Sequence, residues 1–224
     1  GAVAKIHDAQ KLAERAVHWG RKNAATPAFG ESYMQEAREK MPETDALLAG
    51  KSLQVPVSWH FVGHVQTKKA KDIIGGFDLI HSVDSLKLAA ALHKAWQSRV
   101  ADSPVGLDQP APGPQAVLVQ VNVGREAQKS GVNPEELEEL LTGMASLPGL
   151  SVRGLMCIPP IAEIGKSSRP SFVLLRALRH RLSAATGLDL PPLSMVISHH
   201  SAASLADAAP LVRLGTRLFG PRSA

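Results

Sequence analysis

Cysteine is nearly absent from this chain of 224 residues, where Cys157 stands alone. A single thiol excludes a disulfide framework and any cysteine-based zinc cluster. Aromatic residues are also scarce, at 4 %, with one tyrosine, Tyr33. Few stacking surfaces and no binding motif argue against nucleic acid as a partner. No apolar run approaches the ~18–20 residues that a membrane helix requires. No charged segment followed by an apolar core opens the chain, so no signal peptide is read. The default compartment is the cytoplasm, with no membrane partner. Acidic residues are sparse in one region only. Residues 151–224 hold 9 basic and 3 acidic side chains, whereas residues 1–150 hold 16 and 17. The formal charge of +5 therefore arises in the last third. Such a surplus suits nucleic acid, a membrane surface or a small anion, or a solvated face without any partner.

Apolar material is plentiful, at 44 %, so most of the chain is expected to fold as one domain. Short apolar runs alternate with amphipathic stretches. Strands are expected at Val3–Lys5, Pro27–Gly30, Trp59–Val62, Phe77–Val83, Ala116–Val123, Val152–Ile158, Leu193–Ile197 and Leu211–Leu214. Between them lie helical patterns with apolar spacing of three and four. Ala9, Leu12, Ala13, Ala16 and Val17 form one such stripe. A second helix spans Tyr33–Met41, which Pro42 is expected to end. Others contain Gln66–Ile74, then Leu88, Leu92 and Trp96, then Leu137, Leu140, Leu141, Met144 and Leu147. Asn133 is expected to cap the last of these, with Pro134 in its first turn. Phe172, Leu175, Leu178 and Leu182 mark a further helix, and Ser201–Ala209 a short one. Residues 101–115, rich in proline, read as a loop.

Eight strands alternating with helices indicate an α/β fold with a parallel sheet. The pattern points to a single (β/α)8 barrel over residues 1–224, with a doubly wound open sheet as the alternative. The chain opens without methionine and directly on a strand. It is therefore expected to lack its extreme N-terminal segment, or to be numbered from its first ordered residue. In a barrel the site lies at the C-terminal strand ends. Those positions include Lys5, Gly30–Ser32, Gly63–Gln66, Ser82–Ser85, Asn122–Gly124, Met156–Pro159, Ser198–His200 and Gly215–Thr216.

Gly215 and Thr216 follow the last strand, where glycine lets backbone N–H groups approach an anion and the hydroxyl adds a donor. Ser198 is their partner across the preceding strand end. A plain turn remains the other reading. Arg213 and Gly215 share one face of the strand. Arg213 is then either a buried cation beneath the site or an outward side chain. Lys5 is a candidate for amine chemistry, since a desolvated lysine at a strand end is a nucleophile; a solvated terminal lysine is the alternative. His60 and His64 have H-x3-H spacing but span a strand end, so hydrogen-bonding roles are preferred over a metal. Ser198 with His199 and His200 does not make a catalytic triad, whose members come from separate elements. Cys157 reads as a small core hydrophobe.

Several strings then resemble one family. Phe29-Gly-Glu-Ser-Tyr-Met-Gln-Glu36 is similar to FGENYVQE, and Trp59-His-Phe-Val-Gly-His-Val-Gln-Thr-Lys-Lys69 to WHFIGxLQxNK. Val121–Gly131 ends in KSG, Gly154–Pro159 resembles GLMAIP, and Leu193-Ser-Met opens like LSMGMS. Val212-Arg-Leu-Gly-Thr-Arg-Leu-Phe-Gly220 is similar to VRIGTxIFG. Together they resemble the pyridoxal phosphate homeostasis proteins along nearly the whole chain.

The resemblance implies a barrel like the N-terminal domain of alanine racemase, with pyridoxal 5′-phosphate held as a Schiff base by the lysine of AVSK. Ala2-Val-Ala-Lys5 stands there, so Lys5 is the match. It further implies that Ser198, Gly215 and Thr216 hold the phosphate, that Arg213 lies near the pyridine nitrogen, and that Ser32 sits by the cofactor. An Arg beside that nitrogen weakens the ring as an electron sink. A carrier or regulator of the cofactor is implied, without the second domain that gives racemases a catalytic tyrosine. No catalytic residue and no metal are assigned. Apoenzymes that need the cofactor are expected partners, and a monomer is expected. The alternatives are a weak racemase-like enzyme and a degenerate member that no longer binds the cofactor. The chain departs from the family pattern at Ile6-His7-Asp8, where Lys-Pro is usual. It also departs at Ser32 for Asn, at Val196-Ile-Ser198 for GMS, and at His199-His200. About five residues within 21–27 look inserted.

Overall fold

A computed structural model describes residues 28–50, 57–103, 111–160, 169–190, 193–196 and 211–213. The expected strand at Val3–Lys5 and the helices at 9–17 and 201–209 lie outside these residues. The chain divides into two compact units, residues 1–63 with 222–224, and residues 64–221.

In the first unit, β1 (Ala28–Glu31) and β2 (Ser58–Phe61) run parallel, Phe29 beside Trp59 and Glu31 beside Phe61. Two parallel neighbours need a crossover, and α1 (Met34–Gly50) lies between them in sequence. The expectation that Pro42 ends this helix is wrong. The helix runs through Pro42 to Gly50. Ala37, Lys40, Thr44 and Leu48 are buried at spacings of three and four, while Pro42 faces solvent. Packing of that continuous face, with Leu48 against Phe29, Leu47 and Val57, outweighs the ~3 kcal/mol that an interior proline costs.

In the second unit a 3-10 turn (Thr67–Lys69) and α2 (Ala70–Ile73) precede β3 (Leu79–Val83). There follow α3 (Leu86–Asp102), β4 (Gln115–Val121), α4 (Leu137–Ala145), β5 (Leu150–Cys157), α5 (Arg169–Thr186), β6 (Leu193–Val196) and β7 (Leu211–Arg213). Every neighbouring pair from β3 to β7 is parallel and follows chain order. A doubly wound sheet reverses its strand order at a switch point. These five strands do not, so the arrangement is that of a (β/α)8 barrel wall.

β4 and β5 form the centre, with Val117, Leu118, Val119, Leu155, Met156 and Cys157 at 0 % exposure. Strands buried on both faces are what two covered sides require. The expected helix stripes turn inward. Leu88 and Leu92 of α3, four leucine and methionine positions of α4, and Phe172, Leu175, Leu178 and Leu182 of α5 are buried. Trp96 is only half-buried and donates its indole N–H to the Gly113 carbonyl at 2.9 Å. Asn133 does not cap α4. A turn occupies residues 134–136 and the helix begins at Leu137. The Asn133 carbonyl accepts the Glu136 N–H at 3.0 Å, and its side-chain amide donates to the Glu136 carboxylate at 3.1 Å.

Candidate functional site

Parallel strands deliver all their C-terminal ends to one edge. The end of β1 is tightly constrained. Glu31 is buried and paired with Lys40 of α1 at 2.7 Å, their side chains 7 % and 10 % exposed. Its carbonyl accepts the Val62 N–H at 2.8 Å, which joins the end of β1 to that of β2. Ser32 follows, half-buried. Its carbonyl lies so close to Gly63 that an added Cβ there would be 2.1 Å away. Only glycine permits that approach.

The two histidines after β1 have separate partners. His60 in β2 shares a hydrogen bond with the Ser58 hydroxyl at 3.0 Å. His64 lies in the second unit, its Nδ1 3.2 Å from the Ser130 hydroxyl.

Beyond β4 the chain makes a closed loop, residues 122–132. The Asn122 amide donates to the Glu126 carbonyl at 3.0 Å and accepts the Glu126 N–H at 3.2 Å. Val132 returns beside Val121 and receives the Asn122 N–H at 2.9 Å. The Gln120 amide donates to the Ser130 carbonyl at 2.8 Å. Gly131, at φ +128, is needed because a Cβ would lie 2.7 Å from the Asn122 nitrogen. Lys129 pairs with Glu126 at 2.5 Å and donates to the Pro159 carbonyl at 3.0 Å, tying this loop to the end of β5. Sequence reasoning located these strand ends but assigned no role to Asn122, Glu126 or Lys129. The spacing from Asn122 to Gly131 carries no loop signature, since the closure depends on side chains that meet only in three dimensions.

Cys157 closes β5, buried and flanked by Val121 and Met195 in register. The last two strands end together, Val196 of β6 beside Arg213 of β7. Arg213 therefore stands at the strand-end edge, one residue beyond the row that holds Val121, Cys157, Met195 and Val212. Of the residues expected at a cofactor site, Ser32 and Arg213 occupy strand ends. Lys5, Ser198, Gly215 and Thr216 lie outside the described residues, as do His199 and His200. No helix among the described residues is long and apolar enough to cross a membrane.

A family model described as "Alanine racemase, N-terminal domain" matches residues 2–223. The pyridoxal phosphate homeostasis protein of Aquifex aeolicus is 38 % identical over 201 residues, covering 89 % of this chain and 79 % of the relative. That of Pseudomonas aeruginosa is 39 % identical over 194 residues, covering 87 % and 74 %. The solved structure of PipY from Synechococcus elongatus PCC7942 with PLP bound is similar with a TM-score of 0.71. It is 26 % identical, over 96 % of this chain and 100 % of that one. The strand order, the strand-end architecture and these likenesses agree: the chain has the fold of the alanine racemase N-terminal domain and belongs to the pyridoxal phosphate homeostasis protein family.

Proposed function

We propose that this protein binds pyridoxal 5′-phosphate and serves its intracellular homeostasis, as a carrier rather than as an efficient enzyme. The observation that carries the reading is the likeness, over nearly all of both chains, to a PipY structure that holds PLP. When bound, the cofactor supplies an aldehyde for primary amines and an electron-withdrawing ring. Lys5 provides the amine that holds it covalently. Ser198, Gly215 and Thr216 receive the phosphate through hydroxyl and backbone N–H donors. Arg213 faces the pyridine nitrogen and, as a permanent cation, keeps it unprotonated. That residue favours holding the cofactor over driving carbanion chemistry on it. Ser32 is a further cofactor contact, carried over from the family resemblance.

The ends of β6 and β7 support this reading. Val196 and Arg213 end side by side. The whole of residues 1–224 is read as one cofactor-binding barrel, monomeric and cytoplasmic. Apoenzymes that require the cofactor are its partners, and nucleic acid is not one.

The test is borohydride reduction after incubation with the cofactor, followed by peptide mass mapping, on wild type and Lys5→Ala. The expected label sits on the Lys5 peptide and disappears in the variant. Thr216→Val is expected to weaken binding about tenfold, the cost of one hydrogen bond to a charged group. An unlabelled wild type, or a variant that binds as tightly as wild type, overturns the assignment.

A further inference from the structure

A cleft of about 540 Å³ opens at the C-terminal end of β3, on residues of the second unit alone. One wall is the segment leading into the 3-10 turn, with Thr67 and Lys68. The other is Asp84 and Ser85, between β3 and α3. Val65 and Leu88, 3 % and 1 % exposed, form an apolar floor.

Opposite charges therefore line one cleft, and they do not neutralise each other. Lys68 and Asp84 have no charged partner among the described residues. The Ser85 hydroxyl donates to Asp84 Oδ1 at 3.2 Å and accepts the Leu88 N–H at 3.3 Å. One hydroxyl thus orients the carboxylate and caps α3 at once. Asp84 Oδ2 stays available to a ligand. The Lys68 ammonium, exposed, keeps its donors available in the same way.

An anion alone would satisfy Lys68 and be repelled by Asp84. A cation alone would meet the reverse. A small molecule carrying both charges satisfies both at once, and an aliphatic side chain beside them would cover Val65 and Leu88. We infer that this cleft is a binding site for a small aliphatic zwitterion, an α-amino acid. Asp84 accepts its ammonium, Lys68 donates to its carboxylate, and Thr67 supplies a further hydroxyl on the same wall. The site uses none of the residues assigned to the cofactor.

The experiment is an amide-shift NMR titration of the full chain with L-valine, without cofactor. Isobutylamine and 3-methylbutanoate serve as probes that each lack one of valine's charges. Saturable shifts at residues 64–68 and 84–88 are expected with valine. Each singly charged probe is expected to bind at least about tenfold more weakly, the loss of one charge-assisted contact. Lys68→Met replaces an exposed group and Asp84→Asn a half-buried one of the same shape, and each is expected to weaken valine by a similar factor with the remaining spectrum unchanged. Absence of saturable shifts overturns the inference. So does equal binding of either singly charged probe, or unaltered affinity in both variants. Cofactor titration of the same samples by absorbance is read separately, so failure of one reading is distinguishable from failure of the other.

Discussion

Lys40 shows how a single residue can be misread from its type alone. A lysine on a helix is expected in solvent, yet this one is buried against Glu31 at the end of β1. Taking both charges out of water is costly, so the pair depends on its close geometry. Removing the ammonium takes the Lys40 ion pair away from a buried carboxylate. Lys40→Met is therefore expected to lower stability by about 3 kcal/mol, read from urea unfolding. A variant as stable as wild type would show that the pair contributes nothing. The histidines illustrate the opposite case. The H-x3-H spacing can bind a metal on a helix, but its span across a strand end favoured hydrogen-bonding roles, and His60 and His64 do bond to Ser58 and Ser130. Nothing in the spacing named Ser130, which lies 66 positions away from His64.

At the scale of elements, strands β1 to β7 lie within a few residues of the apolar runs that announce them. The runs of β3, β4 and β5 were the most legible, because these strands are largely buried and rich in β-branched residues or leucine, and burial demands apolar composition. Helix ends were less legible. Pro42 reads as a terminator because its ring removes a backbone donor, and only the packed face on both sides of it carries the helix past that point. Asn133 reads as a cap because of its type, while its side chain turns to Glu136 instead. Glycines also divide at this scale. Gly63 is required by the approach of β1 and β2, since any Cβ would meet the Ser32 carbonyl. Gly63→Ala is expected to cost about 2 kcal/mol by forcing these two strand ends apart. Thermal unfolding of the variant checks this, and an unchanged midpoint would mean that the backbone yields freely.

For the whole molecule, the uneven charge is the feature most easily over-read. Nine basic side chains lie in residues 151–224, and only Arg213 among them is placed in the cofactor reading. Arg176 and Arg179 are half-buried on α5 and Arg181 is exposed beside them, with Arg179 3.1 Å from the His180 ring. Much of the surplus therefore belongs to a helix surface rather than to a single anion site. Sedimentation equilibrium is expected to return the 23.8 kDa of one chain, and twice that mass would overturn the monomer. The candidate site was legible as a set of positions because a barrel confines chemistry to one edge. Residue chemistry offered roles for Lys5 and for Gly215-Thr216 with alternatives left open, and the resemblance selected among them.

By itself the sequence determined the α/β alternation, the identity of the buried stripes and the family, because each depends on local composition or on contiguous strings. Tertiary structure decided which strands are neighbours, and with that the barrel order over the doubly wound one. It also decided the Glu31–Lys40 pair and the closed loop from Asn122 to Val132. The physical reason is common to all of these. Hydrogen bonds and charge pairs act over a few ångströms, and residues that meet at that range here are separated by up to tens of positions along the chain.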